Sequence, residues 1–201
     1  MTHSGGGYVA GMDALLLLTG DHNRVRGLFK SFKEAHEKKD QQRGQQVAEK
    51  IIRELTVHTE IEETVFYPAV RDTTDEKLTE LVVEGYEEHA VVKELINEVQ
   101  ACQPGDERWH AKMTVIIENV EHHAEEEEKQ MWPKVRSALD MATLEALAGQ
   151  LEAKKRDLGA PTIAETIDLT KTELTELAKK QAIPGRSKMT QEELAAAVSP
   201  G

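Results

Sequence analysis

A histidine–glutamate pair is set twice into otherwise apolar helical faces, and this constrains the chain more than any other feature. "LTVHTEIEETVFYP" at 55–68 and "VEHHAEEEEKQMWP" at 120–133 align across an offset of 65 residues. Leu55 falls on Val120, His58 on His123, Glu62 on Glu127, Glu63 on Glu128 and Pro68 on Pro133. On a helix, positions i and i+4 lie about 40° apart around the axis and about 6 Å along it, so each pair presents two ligand groups on one face. A carboxylate buried without a compensating cation or proton costs several kcal/mol. The repeat therefore demands a partner for its charge.

Apolar periodicity places that repeat in an all-α architecture. A first helical segment runs from about Met12 to Asp40, with Leu15, Leu18, His22, Val25, Phe29 and Phe32 on one face. A second, after "DQQRG", turns Ile51, Leu55, His58, Glu62 and Phe66 inward. "RDTTDE" ends it, and Thr74 or Asp75 is expected to cap a third carrying Leu78, Leu81, Val82, Gly85, His89, Val92, Ile96 and Val99. After "QPGDE" a fourth carries Met113, Ile116, Val120, His123 and Glu127. Connections this short force antiparallel neighbours, so residues 12–139 should form an up-down-up-down four-helix bundle.

The flanking segments differ. Residues 1–11 read as a flexible N-terminus, 140–158 as an additional amphipathic helix and 159–168 as a linker opened by Gly159 and Pro161. From 169 to 201, "TKTE" and "TQEE" are two capping boxes, each opening a short helix around "IPGRSKM". This unit carries five basic residues (Lys171, Lys179, Lys180, Arg186 and Lys188) against four acidic ones. It is thus at +1, while the preceding residues hold −13 of the chain's total of −12. The linker has few large apolar residues, so little core should cross it, and residues 1–158 are expected to fold without the tail. The acidic bulk argues against non-specific nucleic-acid binding by the bundle. The single Cys102 permits no internal disulfide, "DALLLLTGD" is too short to span a bilayer, and the expected compartment is the cytoplasm.

Counting residues from the helix ends at about 1.5 Å each places His22, His58, His89 and His123 at one height within a turn, with Glu62 and Glu127 among them. Six potential ligands from four helices point to metal. Mixed imidazole and carboxylate disfavours soft-metal thiolate sites and Mg or Ca, and six ligands exceed the four of a structural zinc. Two ions suit them, with Glu62 and Glu127 bridging and the histidines terminal; iron is expected, with manganese as the alternative. His36 lies about 21 Å along its helix from His22 and His110 near the start of the fourth, so neither is a ligand. His122 points off the inward face, and "EEEEK" at 125–129 reads as a solvated face apart from Glu127.

The pattern His22…His58-x-x-x-Glu62…His89…His123-x-x-x-Glu127, with "DHNRVRGLF" and "HTEIEETVFYP", resembles the hemerythrin-like, HHE cation-binding family over about residues 12–138. The resemblance implies an oxo- or hydroxo-bridged di-iron centre with roles in oxygen binding, iron or oxygen sensing, or nitric oxide and peroxide chemistry. Oxygen-carrying members place a fifth histidine one turn before the third-helix ligand. Gly85 stands there in this chain, which argues against reversible oxygen carriage. Gly85 is expected either to serve close packing or to leave an exchangeable position beside the ion at His89, with the Tyr86 hydroxyl near enough to reach it. The tail is similar to the Rho N-terminal, SAP-like unit, which implies nucleic-acid binding through its basic residues; packing on the bundle is the competing role. Two function classes follow: a di-iron protein that binds or reacts with O2, NO or peroxide, and a regulatory protein whose tail binds nucleic acid. A ferritin-like store lacks the extra carboxylates it would need.

Overall fold

A computed structural model of the protein describes residues 12–73, 75–161 and 170–198; the expected N-terminal segment, Thr74 and most of the linker lie outside them. Helix α1 spans Ala14–Glu37. Helix α2 (Gln41–Ile61) runs through a π-helical turn at Glu62–Phe66 into α3 (Tyr67–Arg71). Helix α4 spans Glu76–Gln100, and α5 (Glu107–Glu126) runs through a second π turn at Glu127–Met131 into α6 (Trp132–Ala138). Then come α7 (Met141–Asp157), α8 (Lys171–Lys180), a 3₁₀ turn at Arg186–Lys188 and α9 (Gln191–Ala197). The rods α1, α2–α3, α4 and α5–α6 are the four expected bundle helices.

Local chemistry explains the ends. Asp13, Asp40, Asp75, Asp106 and Asp140 each accept a backbone N–H from the first turn of their helix. A cap of this kind contributes about 1 kcal/mol. Gly159 takes φ +67°, and the N–H of Ala160 reaches back to the Lys155 carbonyl, closing α7 as the sequence suggested. Both threonine–glutamate capping boxes form, at Thr170 with Glu173 and at Thr190 with Glu193.

Every apolar residue expected on an inward face is buried. These residues form two clusters, one holding Leu15, Leu18, Phe66, Tyr67, Leu78 and Trp132, the other Val25, Phe29, Ile51, Val92, Met113 and Ile116. The histidine–glutamate layer lies between them.

The tail packs on the bundle, the competing role that the sequence left open. Leu174, Ala178, Ile183, Leu194 and Val198 form a small cluster of their own, but Ala196 of α9 belongs to the bundle core. Helices α9 and α7 both pack on α1. Two glycines on one face of α1 allow it. A Cβ at Gly20 would stand 2.6 Å from the Ala196 Cβ and 2.7 Å from its carbonyl, and one at Gly27 would stand 2.5 Å from the Gln181 carbonyl oxygen. Linker composition was a poor guide because small residues, not large apolar ones, make this contact.

Burial predicts unequal costs of truncation along α5. Met113→Ala, at a fully buried site, should lower the unfolding free energy of metal-free protein by about 2–5 kcal/mol, whereas Val115→Ala, 41% exposed, should change it by less than about 0.5 kcal/mol. Urea titrations followed by helical circular dichroism measure both.

Candidate metal centre

His22, His58, Glu62, His89, His123 and Glu127 are all buried and meet in one layer. They divide into two interlocked groups, His22–His58–Glu62–Glu127 and Glu62–His89–His123. The Nε2 atoms of His22 and His58 are 3.1 Å apart, and so are those of His89 and His123. Two imidazole nitrogens aimed at each other at this separation suit joint ligation of one ion. The carboxylates tie the groups together. Glu62 Oε2 lies 3.2 Å from His58 Nε2 and 3.3 Å from His89 Nε2. Glu127 Oε2 lies 3.3 Å from His22 Nε2 and 3.6 Å from His123 Nε2. Both oxygens of Glu62 and Oε2 of Glu127 are buried with no hydrogen-bond partner. Orphaned buried carboxylate oxygens facing four imidazoles fit a cation.

The two π turns begin at the two glutamates. In each, the penultimate residue of the motif bonds back five residues, Tyr67 N–H to the Glu62 carbonyl and Trp132 N–H to the Glu127 carbonyl. The prolines that follow, Pro68 and Pro133, explain this: a proline ring clashes with the carbonyl four residues back, and widening the turn relieves it. Phe66 and Tyr67 are both buried at the end of the first π turn, as are Met131 and Trp132 at the end of the second. The repeated proline was visible in the sequence; its consequence was not.

Four acidic residues orient the ligands, and sequence reasoning missed all of them. Glu128 Oε1 is 2.9 Å from His22 Nδ1, Glu63 Oε1 is 3.1 Å from His89 Nδ1, and Glu88 Oε2 is 2.6 Å from His123 Nδ1. Asp21 Oδ2 lies farther from His58 Nδ1, at 3.6 Å. Such partners fix the tautomer that leaves Nε2 free for metal. Glu128 is thus no part of a solvated face: it also holds Arg26 in a two-toothed pair. The signal was adjacency, since an acid precedes His22 and His89 and a second glutamate follows Glu62 and Glu127.

The space beside Gly85 is filled, and not by Tyr86. Tyr86 donates its hydroxyl to the Glu63 carbonyl, 3.1 Å away. The Tyr67 hydroxyl lies 2.7 Å from where a Gly85 Cβ would stand, too close for both. It donates to Glu127 Oε1 at 3.0 Å, lies 3.5 Å from His89 Nε2, and its ring stacks on His89. The expected opening therefore holds a phenol. His122 is exposed, as its register required, and His36 and His110 pack against each other outside the layer.

Electrostatics follows from burial and charge crowding. Burial raises the Glu62 pKa, and repulsion from Glu127 pushes it up further. Glu127 falls to about 2 because the histidines, His123 foremost, outweigh its burial. Burial disfavours the charged form of His22, yet its bonds to Glu127 and Glu128 lift it to about 9. Burial and the neighbouring His22 hold His58 down at about 4. A histidine whose folded pKa exceeds its ordinary value stabilises the fold fully below the ordinary value and loses that contribution as pH rises through the folded one. Metal-free protein should therefore lose stability between pH 6.5 and about 9 through His22. Metal must displace the His22 proton, so uptake at pH 7 should release protons and tighten as pH rises toward that value. Calorimetry in two buffers of different ionisation heat measures the release; uptake without proton release would contradict the assignment.

This geometry agrees with the comparisons. The hemerythrin HHE cation-binding domain model matches residues 13–135, and the chain belongs to that family. It is a cation-binding hemerythrin-like protein. A DNA nickase of Nostoc sp. is 30% identical over 135 residues, 67% of this chain and 37% of the relative. An uncharacterized hemerythrin-like protein of Schizosaccharomyces pombe is 24% identical over 136 residues, 68% of this chain and 66% of the relative. The chain thus spans from about a third to just under two thirds of the length of these relatives. No solved structure matches it.

Proposed function

We propose that the chain holds two iron ions, one at His22 and His58 and one at His89 and His123, with Glu62 and Glu127 shared between them, and that O2, NO or peroxide binds or reacts there. The observation that carries this reading is the sharing: Oε2 of each glutamate lies between an imidazole of one pair and an imidazole of the other. One ion would leave half of these nitrogens unused. Bound iron would supply redox chemistry and coordination of a small ligand. The protein's own contribution is to hold the four Nε2 atoms bare, orient each ring through its Nδ1 and keep bulk water out. Two narrow crevices reach the layer, one beside Asp21 and His58 and one beside Gly85 and His123, each about 10 Å³ in volume. That is near the space one water needs, which favours ligands of diatomic size. Tyr67 sets a hydroxyl against the pair at His89 alone, making the two ions inequivalent.

A second reading rests on the tail. Lys171, Lys179, Lys180 and Lys188 stay exposed with the unit docked, while Arg186 also donates to the Ile183 carbonyl. The likeness to a protein named as a DNA nickase adds weight to nucleic-acid contact here. Binding through so few charges against an acidic bundle should be weak and should fall steeply with salt. Intact protein that shifts neither DNA nor RNA at low salt would remove this reading.

The metal reading is tested by content and spectrum. Wild-type protein loaded anaerobically should hold two irons per chain, a Glu62→Gln, Glu127→Gln variant fewer than one, and loading should raise the melting temperature. Undiminished content in the double variant would refute the shared-carboxylate arrangement. Tyr67→Phe should keep two irons while altering the visible absorption and the response to azide or NO; unchanged spectra would show that the phenol serves packing only.

A further inference from the structure

The four ring-orienting carboxylates are related by the internal repeat, but not equally placed. Glu63 and Glu128 follow the two shared glutamates, while Asp21 and Glu88 precede His22 and His89 and each reaches the histidine of the next bundle helix. Glu88 touches His123 at 2.6 Å and is partly open to solvent. Asp21 is one methylene shorter, is buried and stops 3.6 Å from His58, whose Nδ1 has no hydrogen-bond partner. Among the four ligand imidazoles, His58 has the longest orienting contact.

Asp21 is held by one cation from outside the bundle and one from its own helix. Its Oδ1 accepts from Lys155 of α7 and, at 3.0 Å, from Arg24 Nη1. The same Nη1 bonds Glu54 at 3.1 Å, and Nη2 donates to the Ala196 carbonyl of α9 at 2.7 Å. Carbonyls of a last helical turn lack intrahelical donors and attract cations. Arg24 thus caps the tail's final helix with one nitrogen and restrains Asp21 with the other. Gly20, one residue before Asp21, bears the contact with Ala196.

We propose that the docked tail is a working part of the metal centre, acting through Arg24 and the positioning residue Asp21 to set how firmly His58 is held. This rests on the two-ion reading. The ion at His22 and His58 is held more firmly when the tail is docked, whereas the ion at His89 and His123, with its own closed bonds to Glu63 and Glu88, is indifferent to it. Linkage makes the effect reciprocal: filling the first position strengthens docking, and a ligand that lifts the tail loosens that ion.

The test uses full-length, iron-loaded protein and release of ferrous iron to excess bipyridine under anaerobic conditions. Gly20→Ala with Gly27→Ala pushes the tail from α1 while favouring the helix itself, since alanine is the better helix former. Hydrogen exchange of residues 171–198 reports undocking. One of the two irons should then leave at least tenfold faster and the other within twofold of wild type. Ala196→Arg, which breaks the contact from the tail side, should reproduce this without altering α1. Asp21→Asn should give the same fast phase with no further effect in the undocked background, whereas Glu88→Gln should accelerate the other iron in either background. Asp21→Glu supplies the missing methylene and should restore slow release even with the tail undocked. Loss of tail protection with both irons released at wild-type rates, or with both accelerated alike, overturns the proposal. Wild-type protein that binds no iron overturns the two-ion reading instead, a result distinct from either.

Discussion

Two buried carboxylates govern this molecule. Glu62 and Glu127 sit among four imidazoles, between two apolar clusters, and three of their four oxygens have no protein donor. Without a cation the layer must hold protons instead, which is why Glu62 is pushed up and His22 is raised to about 9. A core built this way sacrifices stability to keep ligand atoms bare. The remaining polar groups of the layer can be understood as means of tolerating that sacrifice.

The means are arranged by an approximate twofold repeat. Asp21, His22, His58, Glu62 and Glu63 correspond in order to Glu88, His89, His123, Glu127 and Glu128. Within this symmetry the exceptions carry the chemistry. Tyr67 corresponds to Trp132, and Gly85 to Leu18. Glycine admits the Tyr67 hydroxyl beside His89, whereas Trp132 lies parallel to His22 and spends its indole N–H on Thr19 at 3.1 Å. One half of the centre therefore has a phenol against it and the other an apolar indole face.

Much of this was legible in the sequence because it is periodic. The inward faces, the clustering of the six residues and the exposure of His122 follow from helical spacing, and burial agrees with each face. What spacing could not supply was anything that breaks the period. The π turns change the register after each glutamate, so that the Tyr67 N–H bonds to the Glu62 carbonyl five residues back instead of four. Tyr86 was thus the nearer candidate in sequence and Tyr67 the nearer one in space. The orienting carboxylates were hidden for another reason: beside a ligand, an acidic residue on a charged helix looks like ordinary solvated surface until its cross-helix partner is known.

The tail illustrates a limit of reading domains from hydrophobicity. Ordinary docking buries large side chains and announces itself in composition. Here α1 offers glycines and α9 offers alanines, so the backbones approach closely and little apolar volume is needed. Close approach also delivers the Ala196 carbonyl to Arg24, which a bulkier interface would hold away. Gly20 and Gly27, seven residues apart on α1, are therefore not neutral gaps in a helix. Each lowers helix propensity by about 1 kcal/mol relative to alanine, a cost offset only if the contact they permit matters to the fold. The same short stretch carries Asp21, His22 and Arg24. Tail contact, ring orientation and metal ligation thus fall within little more than one turn of a single helix, where a displacement of any one is felt by the others.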